Sequence, residues 1–130
     1  MKIVLANGCF DLLHFGHLKH LQAARMLGDV LYVSVTADKH VNKGRGRPVF
    51  NENQRAEMVR ALKVVHGVII VNSSLEALKT VQPHIFVKGK EYEGKISTQD
   101  WQYCKDNGIE IAFTDEPVYS STALLKYYES

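Results

Sequence analysis

Five short runs rich in Val, Leu and Ile, at residues 2–6, 30–36, 67–71, 84–87 and 109–113, alternate with segments whose apolar residues recur at helical spacing. Near-continuous apolar runs of this length describe strands buried on both faces of a parallel sheet, where an antiparallel strand with one wet face would alternate. Between them, residues 17–27 place Leu18, Leu21, Ala24 and Leu27 at every third position, and residues 51–65 place Met58, Leu62 and Val65 on one helix face. Residues 73–81 and 98–107 read as two further helices, and 121–128 as a last one. Asn51 with Gln54, and Ser73 with Glu76, have the spacing of helix-capping pairs. Strand and helix therefore alternate five times, which predicts an α/β fold: a doubly wound, five-stranded parallel sheet with right-handed crossovers.

The chain has 130 residues, enough for a single domain with one core, and no repeat or interdomain linker divides it. Its 16 Lys and Arg against 14 Asp and Glu leave a net charge of +2, which gives no electrostatic case for a nucleic-acid or membrane-surface partner. Lys43, Arg45 and Arg47 are nevertheless concentrated in one loop, a cluster that suits a small anion better than a polymer. No apolar run approaches the ~20 residues of a membrane span, and the first residues read directly into a strand without a signal peptide, so a cytoplasmic location is expected. Cys9 and Cys104 lie far apart and form neither a disulfide scaffold nor a zinc ribbon.

In a doubly wound sheet, the loops at the carboxyl ends of the strands build the ligand site. The sharpest local signal lies in such a loop: residues 8–17, GCFDLLHFGH, join the first strand to the first helix. Gly8 lets the chain turn sharply and approach a ligand closely. His14 and His17, three apart, project together beside a helix N-terminus, where unpaired N–H groups and the positive dipole end favour an anion. The composite reads as a phosphate cradle. It lacks the Lys and hydroxyl of a Walker A loop and the glycines of G-x-G-x-x-G.

Gly8, Phe10, Asp11, His14, Gly16 and His17 resemble the G-x-F-D-x-x-H-x-G-H signature of the cytidylyltransferase-like nucleotidyltransferases. The likeness continues through Lys43, RPVFNENQR ending at Arg55, VKGKEY from Val87 to Tyr92, and SSTALLK from Ser120 to Lys126. Within that superfamily the blocks are most similar to adenylyltransferases acting on heptose 1-phosphate, and next to glycerol-3-phosphate cytidylyltransferases. EPVYSSTA stands here in place of the R-T-x-G-I-S-T-T block usual in the second family, and Lys90 and Glu91 depart from the V-K-G-G-D-Y of the first.

The resemblance implies a Rossmann-like domain that transfers a nucleoside monophosphate from a triphosphate, with ATP favoured, to a small phosphorylated acceptor, releasing pyrophosphate. It implies that His14 and His17 contact the triphosphate and that Lys43 and Arg55 neutralise the phosphates of the two substrates. The backbone of Asn7, Gly8, Cys9 and Phe10 would lie along the nucleotide, with Gly16 keeping the signature's form. Lys88 and Gly89 would edge the base pocket, and Ser120, Ser121 and Thr122 would give a second anion site at the last helix. Mg²⁺ is expected on the triphosphate, held by phosphate oxygens and water without a protein cage. A homodimer is expected from the resemblance alone. Larger relatives fuse the domain to a sugar kinase, so here a separate kinase is expected.

Plainer readings stand beside these. His14 can be a helix cap, Arg55 can pair with Glu52 or Glu57 on its own helix, and Lys43, Arg45 and Arg47 can be a solvated loop. Asp11 either assists the reaction indirectly or fixes its loop by accepting backbone N–H bonds. A metal site from His14, His17 and His20 is disfavoured because successive steps of three rotate around a helix. A Cys9–His14 nucleophilic pair lacks an orienting third group. Two other functions remain open: a CTP-dependent enzyme acting on glycerol 3-phosphate or a related polyol phosphate or phosphonate, and a non-catalytic nucleotide-binding module.

Overall fold

A computed structural model describes residues 1–115 of the chain. They form five strands, β1 (Ile3–Gly8), β2 (Val30–Thr36), β3 (Gly67–Val71), β4 (Ile85–Gly89) and β5 (Glu110–Thr114), and four α-helices, α1 (Phe15–Arg25), α2 (Glu52–Arg60), α3 (Ser74–Val81) and α4 (Thr98–Asp106). The expected last helix at 121–128 lies outside the described residues.

All four strand pairings are parallel, in the order β3-β2-β1-β4-β5. The chain winds outward from β1 through β2 to β3, then returns to the other side of β1 for β4 and β5. The winding reverses between β1 and β4, and the crevice outside the carboxyl ends of those strands is where such sheets bind ligands. This is the single-domain, doubly wound α/β fold that the alternation predicts.

Pleating divides the core. Val4, Ala6, Val33, Val35, Ile85 and Val87 join Leu21 and Ala24 of α1 and Ala56 and Val59 of α2 in one layer. Leu5 and Phe86 point the other way, to Ala77 and Leu78 of α3 and Cys104 of α4. Burial lifts the Cys104 thiol to about 11, so it stays a protonated packing group.

The helix starts follow their capping residues. Asn51 accepts from the Gln54 N–H at 2.9 Å and the Gln54 side chain accepts from the Asn51 N–H at 3.0 Å, a complete capping box. Ser73 caps α3 through the Glu76 N–H, whereas the Glu76 carboxylate takes the N–H of Asn72.

Helix α2 departs from its expected extent and face. It ends at Arg60, and Leu62 and Val65 continue in tight turns, with Leu62 N–H bonded to Val59 O and Val65 N–H to Leu62 O. Both still pack against the core, but Met58 is 41% exposed and the buried face is Arg55, Ala56 and Val59. The helix is rotated by one residue from the apolar pattern because the Arg55 guanidinium, fully buried, finds all its partners on the inner side.

Candidate active site

Gly8 ends β1 at the mouth of the crevice. A Cβ there would meet the Phe10 ring at 2.8 Å, so only glycine lets Phe10 fold back over the strand end. Phe10 is buried and holds φ at 52°, a left-handed conformation that costs a non-glycine residue of order 1 kcal/mol or more and persists only where the surroundings fix it. Its ring meets His17 edge to face, with centroids 5.2 Å apart. Asn7, one residue earlier, donates from Nδ2 to Ser34 Oγ at 2.7 Å.

His14 is the N-cap of α1, extending the helix two residues before its expected start. Its Nδ1 accepts the Gly16 N–H at 3.1 Å, and the Nδ1 of His17 accepts the His14 N–H at 3.2 Å. The histidines thus form a capping box built from two imidazoles. Because both Nδ1 atoms accept, the neutral rings carry their protons on Nε2. Burial depresses both basicities: His17 falls to about 3, helped by repulsion from His14, Lys43 and His20, and His14 is lowered by burial and by Lys43. Lys43, on the exposed loop after β2, therefore lies within electrostatic reach of both rings.

His20, one turn further along α1, meets Thr114 Oγ1 of β5 at 2.7 Å through Nδ1. Burial lowers its basicity, opposed by Glu91 and reinforced by Lys88. Lys88 and Gly89 end β4 alongside β1, where Val87 pairs with Ala6. The Lys88 ammonium lies 4.5 Å from the centre of the Tyr92 ring and 5.8 Å from that of Phe86. Burial lowers its basicity, with Asp100 and Glu91 opposing.

Arg55 sits where a surface arginine on its own helix could not. Its side chain is 0% exposed, and its guanidinium donates to Phe50 O at 2.9 Å, Cys9 O at 2.8 Å, Thr36 O at 2.7 Å and Asp38 Oδ1 at 2.6 Å. It thereby joins the loop after β1, the end of β2 and the start of α2. The expected pairing with Glu52 or Glu57 gives way to Asp38, and a direct phosphate contact would require this buried fork to open. Cys9 contributes chiefly its carbonyl, with its Sγ 3.8 Å from the same guanidinium nitrogen.

Asp11 resolves in favour of fixing the loop. It is fully buried, accepts the Val49 N–H at 2.8 Å and the Phe50 N–H at 3.0 Å, and pairs with Arg47 Nε at 2.5 Å. Burial alone would raise its carboxyl, but these donors outweigh it and hold the group below the usual carboxylate range.

The structure thus gathers Asn7, Gly8, Cys9, Phe10, His14, Gly16, His17, Lys88 and Gly89 at the carboxyl end of β1 and β4, with Lys43 facing the histidines and Arg55 beneath the loop. Ser120, Ser121 and Thr122 lie outside the described residues. Sequence reasoning missed Asp38 and the buried role of Arg47. Asp38 is the third residue after β2 and Arg47 belongs to a run of cations, and neither position carries a local pattern pointing to a partner far along the chain. Among the described residues, no group of three or more His, Cys, Asp or Glu is placed to hold a metal ion, and no helix is long and apolar enough to cross a membrane.

The arrangement offers imidazole N–H donors, a helix N-terminus and a lysine to a polyanion, with no nucleophile oriented by a base. It can position phosphates and stabilise charge on them.

Comparison with known proteins agrees. A family model described as Cytidylyltransferase-like matches residues 5–126. The bifunctional protein HldE of Aliarcobacter butzleri is 46% identical over 98 residues, covering 72% of this chain and 21% of that protein. The protein of the same name from Campylobacter jejuni subsp. doylei is 48% identical over 99 residues, covering 73% of this chain and 22% of its own length. The chain therefore spans about a fifth of the length of the curated relatives it matches. Among solved structures, the lipopolysaccharide core biosynthesis protein of Thermoplasma volcanium superposes with a TM-score of 0.77 at 29% identity, covering 91% of this chain and 99% of that one. A protein of unknown function from Archaeoglobus fulgidus shares the fold at a TM-score of 0.70 and 24% identity, covering 88% of this chain and 90% of its own.

Proposed function

The chain belongs to the cytidylyltransferase-like family of nucleotidyltransferases, and from that premise we propose that it transfers AMP from ATP to a sugar phosphate of the heptose 1-phosphate type. The observation that carries the reading is the double-imidazole cap of α1, which sets two Nε2–H donors and a helix N-terminus beside Lys43 at the winding reversal. The likeness of its sequence blocks to heptose 1-phosphate adenylyltransferases supports the choice of acceptor. So do relatives named bifunctional protein HldE and a structural neighbour named for lipopolysaccharide core biosynthesis.

In this reading an oxygen of the acceptor phosphate attacks the α-phosphorus of the triphosphate in line. The new P–O bond forms as the bond to the bridging oxygen of the β-phosphate breaks, and pyrophosphate leaves with that electron pair. The chain holds both phosphates in line and meets the charge that builds on the transferring group. His14 and His17 donate from Nε2, Lys43 supplies a mobile cation, and the first turn of α1 adds its dipole. Arg55 and Asp11 hold the loops that carry these groups, and Lys88 and Gly89 flank the base.

The triphosphate brings Mg²⁺ with it in this proposal. The donors around the histidines are basic and suit phosphate oxygens, so those oxygens and water would hold the ion. When bound, it would neutralise charge on the leaving pyrophosphate. A homodimer belongs to the same reading, and a monomer in light scattering would remove it.

The test is pyrophosphate release with Mg²⁺, crossing ATP and CTP against heptose 1-phosphate and glycerol 3-phosphate. Turnover in the ATP and heptose 1-phosphate combination is expected. Turnover confined to CTP with glycerol 3-phosphate would move the chain to the polyol branch, and triphosphate binding without release in any combination would favour a non-catalytic module.

A further inference from the structure

The loop between β2 and α2, residues 37–50, carries Lys43 and is fastened at both ends by buried charge. At its start, Ala37 N–H bonds to Val71 O at 2.8 Å, and Asp38 binds Arg55 through its carboxylate and Glu52 through its N–H. At its end, Arg47, Val49 and Phe50 all donate to Asp11. The Arg47 and Asp11 side chains are 2% and 0% exposed. Between the two fastenings, residues 42–46 are exposed. Gly44 and Gly46 hold φ at 99° and 79°, left-handed values that glycine adopts without strain, with no neighbouring atom within 4 Å of a would-be Cβ.

Asp11 lies within the same ten-residue segment as His14 and His17. The carboxylate that receives the returning end of the basic loop is therefore built into the element that presents the imidazoles. We infer that Asp11 is a positioning residue: by gripping Arg47 and the Val49 and Phe50 amides, it sets where Lys43 stands relative to His14 and His17, and so how strongly Lys43 engages the triphosphate. The inference rests on the reading of Lys43 as a phosphate contact. With the return end released, residues 37–50 would be tethered only at Asp38, and Lys43 would sample many positions for each one that meets the phosphates.

The test is a double-mutant cycle read in ATP affinity by titration calorimetry, with turnover followed in parallel. In the wild-type background Lys43→Ala is expected to weaken ATP binding at least about tenfold, the cost of a hydrogen bond to a charged group. In the Asp11→Asn background, whose side chain keeps its shape but loses the charge that holds Arg47, Lys43→Ala is expected to cost less than about threefold. Equal costs in both backgrounds, with Asp11→Asn folded by circular dichroism, would overturn the inference and leave Asp11 a stabilising residue only. Should Asp11→Asn not fold, Arg47→Gln serves in the same cycle, since it removes the ion pair and leaves Asp11 its two backbone donors. A wild-type chain that binds neither ATP nor CTP would overturn the proposed function and this inference with it. Wild-type binding with an additive cycle would overturn this inference alone.

Discussion

The imidazoles of His14 and His17 stack with centroids 3.9 Å apart and planes 24° from parallel, while each Nδ1 accepts a backbone N–H at the start of α1. Two rings in that contact cannot readily both be charged, and burial already favours the neutral forms. The pair is therefore held uncharged in the absence of an anion, with the proton of each ring on Nε2.

Acid should destabilise the chain through this pair. His17 titrates near 3 when folded, chiefly because it is buried, and near ~6.5 when unfolded. The folded form thus binds fewer protons, and this contribution to stability is fully present above about pH 6.5 and is lost as pH falls from there toward about 3. His17→Asn should remove close to one proton's worth of pH dependence, about 1.4 kcal/mol per unit between roughly pH 6 and 4. Urea midpoints of the two proteins across that range check it. Curves that stay parallel would refute it.

His17→Ala should cut turnover by about a hundredfold to a thousandfold, the loss typical of one donor to developing charge. The far-UV circular dichroism should be unchanged, since the cap of α1 retains His14. Activity within a few-fold of wild type would remove His17 from the reacting site.

Arg55→Ala should destabilise the fold by about 3 kcal/mol or more, because it strips Asp38 of its partner and leaves the carbonyls of Cys9, Thr36 and Phe50 without a donor. Arg55→Lys should recover only part of this, since an ammonium cannot span the four acceptors. Denaturant unfolding of the three proteins measures both effects. An arginine that served phosphates instead would raise the triphosphate KM and leave stability intact.

Lys43→Ala should do the reverse. The residue is exposed between two fastened ends, so stability should stay within about 0.5 kcal/mol of wild type. The triphosphate KM should rise about tenfold and its dependence on ionic strength should weaken. An unchanged KM would return Lys43 to the solvated loop.

The contrast between Lys43 and Arg55 marks what the sequence could convey. The strands, the sense of their winding and the histidine-bearing turn were legible because each is written within about ten residues as a run, a period or a spacing. Met58 shows where periodicity misleads: the apolar stripe of α2 placed it inward, yet the buried Arg55 rotates the helix and leaves Met58 half in solvent. Both cations looked alike along the chain, one in a basic loop and one on a polar helix. What separates them is a set of partners 5, 17, 19 and 46 residues away from Arg55, brought together only once the sheet has formed. Asp11 was legible as a loop anchor in kind, through its capacity to accept N–H bonds, but not in its partners, which lie 36 to 39 residues on.

The most direct test of nucleotidyl transfer follows the two ends of the triphosphate separately. ATP labelled at the α-phosphorus, and in a parallel reaction at the γ-phosphorus, is incubated with the chain, Mg²⁺ and heptose 1-phosphate. The α label should pass to a sugar-linked product and the γ label should leave as pyrophosphate. A γ label on the sugar, or an α label that remains in ATP while the nucleotide is bound, would contradict the account.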